Sequence, residues 1–573
     1  MNTEKSKQKR KILIVTAFPT HGAGSGALIT TQAKSYIENG DEVVIITGNN
    51  RTDFDKIDGV KYHIVPFTAE NENPEKIEGQ CPFNYLMFTT HTESTANFWN
   101  IGLNEIEQYN KAFEKAINEE VKNFNPDVIH AQHNWLTSDI CNDFDKPVVL
   151  TIHGTDLMGY IKATEKLKEV QEKIDILKQN FKEDKNNLRN IKNVEEIYAK
   201  AATKQEIMRE LKNAIVSNRI DFTKEELKEV IDTYDSKKLY ELYKNSAEQS
   251  ARKSEKIIVI SDAQEKQFNK LFPNNEDKVV LLENGYDNKV FYMNPDVKRE
   301  DILEDMIGKE NVDYDDMVLF VGKFADFKGI DALLCAAKKY EEQEKDKKIE
   351  TIIVGSGVLD EKLKEEAKEL GLKNTHFVGR KNHDEICKLQ NLATVSLIPS
   401  RDEPFGLVVI EGTSCGHPVI ATNSGGIPGI LNTDKEDLSD KTKIYKTKLG
   451  VLVPPLPERI NKLNDEEREI LDNNTIQYST IENEEQQTKL IKEMSDKLQI
   501  SEQDIEKYMK DYTMTVDGIS NSVIDICNKN MQFNNEEIAS YTENNYSQNV
   551  IRDKLYGIFE DAENKHNKDK TLE

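Results

Sequence analysis

The chain has 573 residues, too many for a single hydrophobic core, so two or more domains are expected. Its 77 basic and 103 acidic residues leave a formal net charge of −26, which argues against nucleic acid or an anionic membrane as a general partner. No apolar run approaches the ~18–20 residues of a membrane span, nothing at the N-terminus resembles a signal peptide, and the scattered cysteines (Cys81, Cys141, Cys335, Cys387, Cys415, Cys527) form no C-x-x-C pair. That usage predicts reduced thiols and a cytoplasmic globular protein rather than a disulfide or zinc scaffold.

After a charged tail, Met1 to Lys11, short β-branched runs alternate with amphipathic helical stretches. The runs ILIVT (12–16), VVIIT (43–47), DVIHA (127–131), VVLTIH (148–153) and KIIVIS (256–261) form a first set. MVLFVG (317–322), TIIVG (351–355), HFVG (376–379), TVSLIP (394–399) and PVIAT (418–422) form a second. Largely apolar runs of this length read as parallel strands covered on both faces. Two sets separated by the polar stretch from Asn294 to Asp316 imply two doubly wound α/β domains, with a ligand cleft between them. Two segments break the alternation. Residues 160–250 are helix formers with apolar positions three and four apart, an inserted hairpin or small bundle. Residues 456–545 are helical in composition, with nine basic and twenty acidic residues.

The most informative stretch is PSRDEPFGLVVIEGTSCGHPVIATNSGGIP, Pro399 to Pro428. A strand ends at Pro399, a turn follows, and an apolar helix begins near Gly406. Glu403 lies in the turn and Glu411 inside the helix, whose N-terminal N–H groups and dipole suit a phosphate. A carboxylate on that helix can accept two vicinal hydroxyls, as on a ribose. The plainer reading makes Glu403 a dipole partner and Glu411 a surface charge. In VGKFADFKGID (321–331), Lys323 and Lys328 flank a loop between strand and helix, where a nucleoside diphosphate gains two positive charges without a metal. VGSG (354–357) is a weak glycine signal, equally a tight strand-to-helix turn. Near the N-terminus, Gly22, Gly24 and Gly26 open a helix and permit close backbone approach to a ligand. His130 and His133 (DVIHAQHNW) and His153 with Asp156 (VVLTIHGTD) end neighbouring strands. A metal set of His130, His133 and His153 would need a fourth ligand such as Asp156.

The Pro399–Pro428 stretch resembles the E-x7-E region of family 4 of the retaining glycosyltransferases, which have the GT-B fold of two facing Rossmann-like domains. The resemblance spans EPFGLVVIE, the small-residue segment after it and the Gly425–Gly426 pair. It implies donor-sugar hydroxyls for Glu403, nucleotide ribose for Glu411, and backbone amides of Phe405, Gly406 and Leu407 near sugar and phosphate. Lys323 and Lys328 resemble the family's Arg and Lys at this spacing. Lys323 departs from the pattern, keeping the charge without the bidentate fork. GAGSGAL followed by GDEV resembles the family's first β-α-β unit and puts its phosphate- or acceptor-contacting glycine at Gly24. His153 matches a T-x-H position directed at the donor sugar, and His130, His133 and Asp156 fall on the acceptor side. RKSEKIIVISDAQEKQF, NGYDNKVF and EEIASYTENNYSQNVIRDKLYGIFEDA are also similar to family segments.

The expectation is therefore an α/β GT-B protein in three parts. Residues 1–294 form an acceptor-side domain with the insert at about 160–250. Residues 295–535 form a nucleotide-sugar domain with the acidic elaboration at about 456–535. Residues 536–573 form a helix crossing back. The expected activity is retaining, metal-independent hexosyl transfer from a nucleotide sugar, with UDP favoured on family frequency, to an unidentified acceptor. His153, Lys328 and Glu403 are the catalytic candidates, no cofactor is expected, and a homo-oligomer is one option. A binding or scaffold protein using the insert, and an epimerase or phosphorylase on the same fold, are the alternatives.

Overall fold

Apolar runs such as Ile12–Val15 leave no face for solvent, and they settle as central strands of two parallel sheets. The computed structural model describes residues 9–20, 24–49, 56–67, 86–88, 96–180, 185–460, 462–481 and 483–571. Gly22, Cys81 and most of the charged tail lie outside them. The chain divides into two units. Unit 1 is Met1–Ile260, Glu265–Leu282 and Arg552–Glu573, and unit 2 is Ser261–Gln264 and Glu283–Ile551.

Unit 1 holds strands β1 (Lys11–Thr16), β2 (Glu42–Asn49) and β3 (Val60–Pro66) and the short ladder β4 (Leu86–Met87) and β5 (Ala96–Asn97). It continues with β6 (Val128–Gln132), β7 (Val148–Thr151), β8 (Lys256–Val259) and β9 (Val279–Leu281). The sheet order is β3-β2-β1-β6-β7-β8-β9, and every neighbouring pair is parallel. The chain runs outward from β1 to β3 and then returns to β1's other side with β6. Such a reversal places ligands at the carboxyl ends of the two strands flanking it. Helices α1 (Gly24–Glu38), α2 (Leu103–Asn123) and α3 (Leu136–Cys141) cover the sheet.

The insert is the crossover from β7 to β8, enlarged into α4 (Thr155–Asn180), α5 (Lys185–Lys200), α6 (Lys204–Val216) and α7 (Lys224–Lys253). It starts earlier and ends later than 160–250, because the helices leave and rejoin the strands almost directly. Val170, Ile174, Val194, Tyr234 and Tyr243 bury into the same core as Leu13, Ile129 and Leu150. Helix α8 (Asp262–Leu271) follows β8.

Unit 2 begins with α9 (Glu300–Ile307) and builds β10 (Asp316–Val321), α10 (Ile330–Gln343), β11 (Ile349–Val354), α11 (Asp360–Glu369), β12 (Thr375–Gly379) and α12 (His383–Leu392). Then come β13 (Val395–Ile398), α13 (Leu407–Ser414), β14 (Val419–Thr422), α14 (Ile427–Leu431), β15 (Tyr445–Lys446) and β16 (Gly450–Val453). The order β12-β11-β10-β13-β14-β16-β15 repeats the reversal, now between β10 and β13. Only β15 is antiparallel, on the edge.

The acidic elaboration is α15 (Asp465–Thr480), α16 (Glu484–Leu498) and α17 (Glu502–Cys527). Leu471, Tyr478, Leu490, Met494, Ile505 and Met509 form its own small core. Further along α17, Tyr512, Val516 and Ile519 join Leu333 and Ala337 of α10 in the main core of unit 2. Helix α18 (Asn535–Tyr546) packs on α13, where Thr542 Oγ1 donates to Thr413 Oγ1 at 2.9 Å. The chain thus returns to unit 1 within α19 (Gln548–Lys570), at Arg552, rather than at 536. The first division falls at Leu282, just after the last strand of unit 1, rather than at 294. Among the described residues no helix is long and apolar enough to cross a membrane.

Candidate functional site

In unit 2 the two loops at the sheet reversal meet. The first follows β10, passes Lys323, makes a single 3-10 turn at Asp326–Lys328 and enters α10. The second follows β13 and carries Ser400, Arg401 and Glu403 into α13. Arg401 N–H donates to the Phe327 carbonyl at 2.8 Å, tying one loop to the other. Lys328 Nζ forms an ion pair with Glu403 Oε2, and Ser400 Oγ donates to the same oxygen at 3.3 Å. Both side chains are largely buried, at 17% and 13% exposure, so this pair is screened far less than a surface one. Lys323 is exposed and forms no ion pair with a described residue.

A third loop holds Glu403 from behind. A Cβ on Gly425 would lie 2.3 Å from the Glu403 carbonyl oxygen, and one on Gly426 2.4 Å from that of Pro404. Gly425 also takes φ +56°, a conformation side chains rarely adopt. The Gly-Gly pair therefore exists for backbone-to-backbone contact, and Gly426 N–H donates to Glu403 O at 2.7 Å. VGSG does similar work on the other side: a Cβ on Gly355 would sit 1.8 Å from Gly322 O, and one on Gly357 2.2 Å from Phe324 O. These two glycines seat the Lys323 loop.

Helix α13 starts at Leu407 with Gly406 as its cap and no side-chain capping bond, which leaves its first N–H groups for a ligand. Phe405 is anchored by its ring, 3% exposed, so only its backbone can face a ligand beside Gly406 and Leu407. Glu411 stands on the next turn, half-buried. Its carboxylate has no hydrogen bond or ion pair to any described residue, and desolvation pushes its pKa up to about 7.

In unit 1, Gly24 opens α1 and a Cβ there would meet no described residue within 4 Å, whereas one on Gly26 would lie 2.8 Å from Pro19 O. Gly26 serves packing, and Gly24 is the open position. After β7, His153 Nε2 donates to Gln132 Oε1 at 2.7 Å, leaving Nδ1 as the acceptor nitrogen. Burial lowers its pKa to about 4, so the ring is neutral at pH 7. His133 packs against it with tilted rings, centroids 4.4 Å apart, and has an unusual φ of +70°. Both His133 ring nitrogens, both polar atoms of the Asn134 side chain, Gln132 Nε2 and Trp135 Nε1 are buried without a partner among the described residues. Buried polar atoms of this kind need water or ligand.

Two acceptor-side candidates have their polar atoms committed within the chain. His130 is fully buried, bonds Thr151 Oγ1 at 2.8 Å and packs 5.4 Å from the Phe559 ring. Two residues before Gln132 on β6, it lies on the same sheet face, with its ring held inside the core. Asp156 spends its carboxylate on backbone N–H groups of Asn134 (2.8 Å) and His153 (3.2 Å), holding the two strand-end loops together. His130, His133, His153 and Asp156 belong to no group of described residues that could hold a metal ion. Gln132, Asn134, Ser400 and Arg401 were not singled out by sequence. All four sit beside motif residues, and nothing in their type marked them.

Residues 304–497 match the family model of Glycosyl transferases group 1. An uncharacterized glycosyltransferase of Methanocaldococcus jannaschii is 32% identical over 183 residues, covering 32% of this chain and 46% of that protein. O-antigen chain mannosyltransferase C of Escherichia coli is 32% identical over 161 residues, covering 27% of this chain and 38% of that protein. The chain thus spans under half the length of these curated relatives. The sucrose-phosphate synthase structure from Thermosynechococcus elongatus covers 96% of this chain and 98% of its own, with a TM-score of 0.51 and 16% identity, a likeness of fold. Residues 304–497 thus resemble the glycosyl transferases group 1 family, and the chain has a GT-B fold.

Proposed function

We propose that the protein transfers a hexosyl unit from a nucleotide sugar to an acceptor, with retention at the anomeric carbon and without a metal. The observation that carries this reading is the Lys328–Glu403 pair, which joins residues 75 apart at the sheet reversal of unit 2, beside an uncapped helix N-terminus. Departure of a nucleoside diphosphate leaves an oxocarbenium-like sugar, so fixed positive charge at the diphosphate is the main catalytic device. Lys328, Lys323 and the first N–H groups of α13 would supply it. Glu403 orients Lys328 and meets the sugar hydroxyls. The partnerless carboxylate of Glu411 takes the ribose. Gly24 allows a close approach in unit 1, and His153 is assigned to the transferred sugar on the resemblance. The unpaired polar atoms around His133 favour a hydroxylated acceptor there, with His130 and Asp156 as supports. In the absence of an evident base, the leaving phosphate takes the acceptor's proton.

The test is a panel of UDP-, GDP- and ADP-sugars scored for nucleoside diphosphate release, with UDP-sugars the first expected hit. Lys328→Ala should lower kcat at least about 100-fold with little change in donor KM, since leaving-group charge grows only in the transition state. Release from no donor, by protein that binds none calorimetrically, would favour the scaffold alternative. Free-phosphate-dependent turnover would favour a phosphorylase.

A further inference from the structure

The side chain of Arg459 latches the acidic elaboration to the candidate donor loop. Arg459, between β16 and α15, places its guanidinium on both carboxylate oxygens of Asp326: Nε donates to Oδ2 at 3.1 Å, and Nη2 bonds Oδ1. Its third nitrogen, Nη1, reaches back into the elaboration, to Asp472 of α15 and to Tyr508 OH of α17 at 2.8 Å. One planar fork thus joins two helices of the elaboration to one turn of the sheet domain.

The turn it grips is the one that carries Lys328. Asp326 opens the three-residue 3-10 turn and Lys328 closes it. A lone turn of this kind is poorly stabilised by its own hydrogen bonds. Here they are Lys328 N–H to Ala325 O at 3.0 Å and Gly329 N–H to Asp326 O at 3.2 Å. Support must come from outside, and it comes from two arginines. Arg401 bonds Phe327 O through its backbone, and its Nη2 donates to Asp331 Oδ2 at 2.7 Å in the first turn of α10. Arg459 fixes the other end. A surface ion pair that merely adds stability would not need this geometry. Asp326 is 59% exposed, so the pair's value as a stabilising contact is small. What the fork adds is a fixed place for the turn.

We propose that Arg459 is a positioning residue for the transfer reaction, holding Lys328 at the leaving diphosphate through the Asp326–Lys328 turn. The acidic elaboration is then a buttress for the donor loop. This inference rests on the donor role of Lys328 proposed above. The physical need is clear from magnitudes: a displacement of about 1 Å in a catalytic group can cost roughly 100-fold in rate. An ammonium on a four-carbon stem has that freedom unless its backbone is held.

The test is a double-mutant cycle with the best donor from the panel. Arg459→Ala should lower kcat by roughly 10- to 100-fold, with donor KM changed less than about threefold. Arg459→Lys, which keeps charge without the fork, should recover only part of the loss. Adding Arg459→Ala to Lys328→Ala should cost almost nothing more, because the arginine acts through the lysine. Asp326→Asn gives a second route that leaves Arg459 on Asp472 and Tyr508, and should reproduce the same kcat loss and non-additivity. Near-parental turnover of both Arg459→Ala and Asp326→Asn overturns the inference. So do losses that multiply with an already impaired Lys328→Ala, since they mean an independent structural role. A fully active Lys328→Ala instead overturns the donor reading itself, and the inference with it.

Discussion

Glu411 is the residue where a physical argument gives the sharpest number. Its carboxylate is desolvated and partnerless, with a pKa near 7. Binding a ribose through two accepted hydrogen bonds requires the ionised form. Below pH 7 the group is protonated in the free protein, so donor affinity and kcat/KM should fall by up to about tenfold per pH unit there and level off above. Glu411→Gln should flatten this acid limb and weaken donor binding by ~1–3 kcal/mol at pH 8. Calorimetry at pH 6, 7 and 8 checks both, and a wild-type profile without the acid limb removes Glu411 from the ribose. Residues of this kind were legible because their type and spacing are tied to a local turn-helix. Arg459 was not legible. Its partner Asp326 lies 133 residues earlier, and neither residue sits in a periodic or motif context that ties them together.

At the scale of elements, every strand run identified by composition became a strand, since four to six apolar residues in sequence can only be satisfied between two layers of helices. Six strands among the described residues escaped: the short β4, β5, β9 and β15, and two longer ones. β3, VKYHIVP, is an edge strand whose residues are mostly half-exposed, so its polar positions hide the pattern. β16, GVLV, opens on Gly450 and runs straight into Pro454, so its apolar run is only three residues long. The Gly425–Gly426 loop was recognisable as a motif, but its cause is visible only in three dimensions. Gly425→Ala would force a Cβ to within 2.3 Å of Glu403 O at φ +56°. Backbone must then move, so we expect a loss of about 1–3 kcal/mol in unfolding free energy together with loss of nucleoside diphosphate release. Gly24→Ala meets open space and should leave stability within about 0.5 kcal/mol of the parent. If Gly24 approaches a ligand, the same variant loses turnover. Chemical denaturation beside a turnover assay separates the two glycines, and equal stability losses at both positions would contradict the packing argument.

At the scale of the whole molecule, the four-helix crossover of unit 1 is a feature no motif explains. Its root is structural. Tyr243 donates to Phe98 O at 2.9 Å and lies 5.1 Å from the Trp135 ring, and Tyr160 donates to Glu248 at 2.8 Å. Cutting the entire crossover would therefore open the core of unit 1. Its outer part is different: α6 leaves Met208, Ile215 and Val216 at 47%, 39% and 77% exposure, beside an apolar groove completed by Leu211, Leu227 and Ile231. Contiguous exposed apolar side chains of this kind mark a binding surface more often than chance. Because α4 starts two residues after His153 and contains Asp156, the arm starts at the strand end assigned to the sugar, which favours a role in admitting the acceptor. Replacing residues 168–238 by a short Gly/Ser linker keeps Tyr160, Tyr243 and Glu248 but takes the buried Val170, Ile174, Val194 and Tyr234 with the outer arm, so the denaturant midpoint is measured beside activity. Donor hydrolysis should then persist at the parental rate while transfer to the true acceptor drops by tenfold or more, roughly the loss of one or two good contacts. A truncated protein that unfolds at the parental denaturant midpoint and still transfers normally would exclude acceptor selection. If light scattering shows that same truncation turning a dimer into a monomer, the exposed groove on α6 belongs to assembly instead.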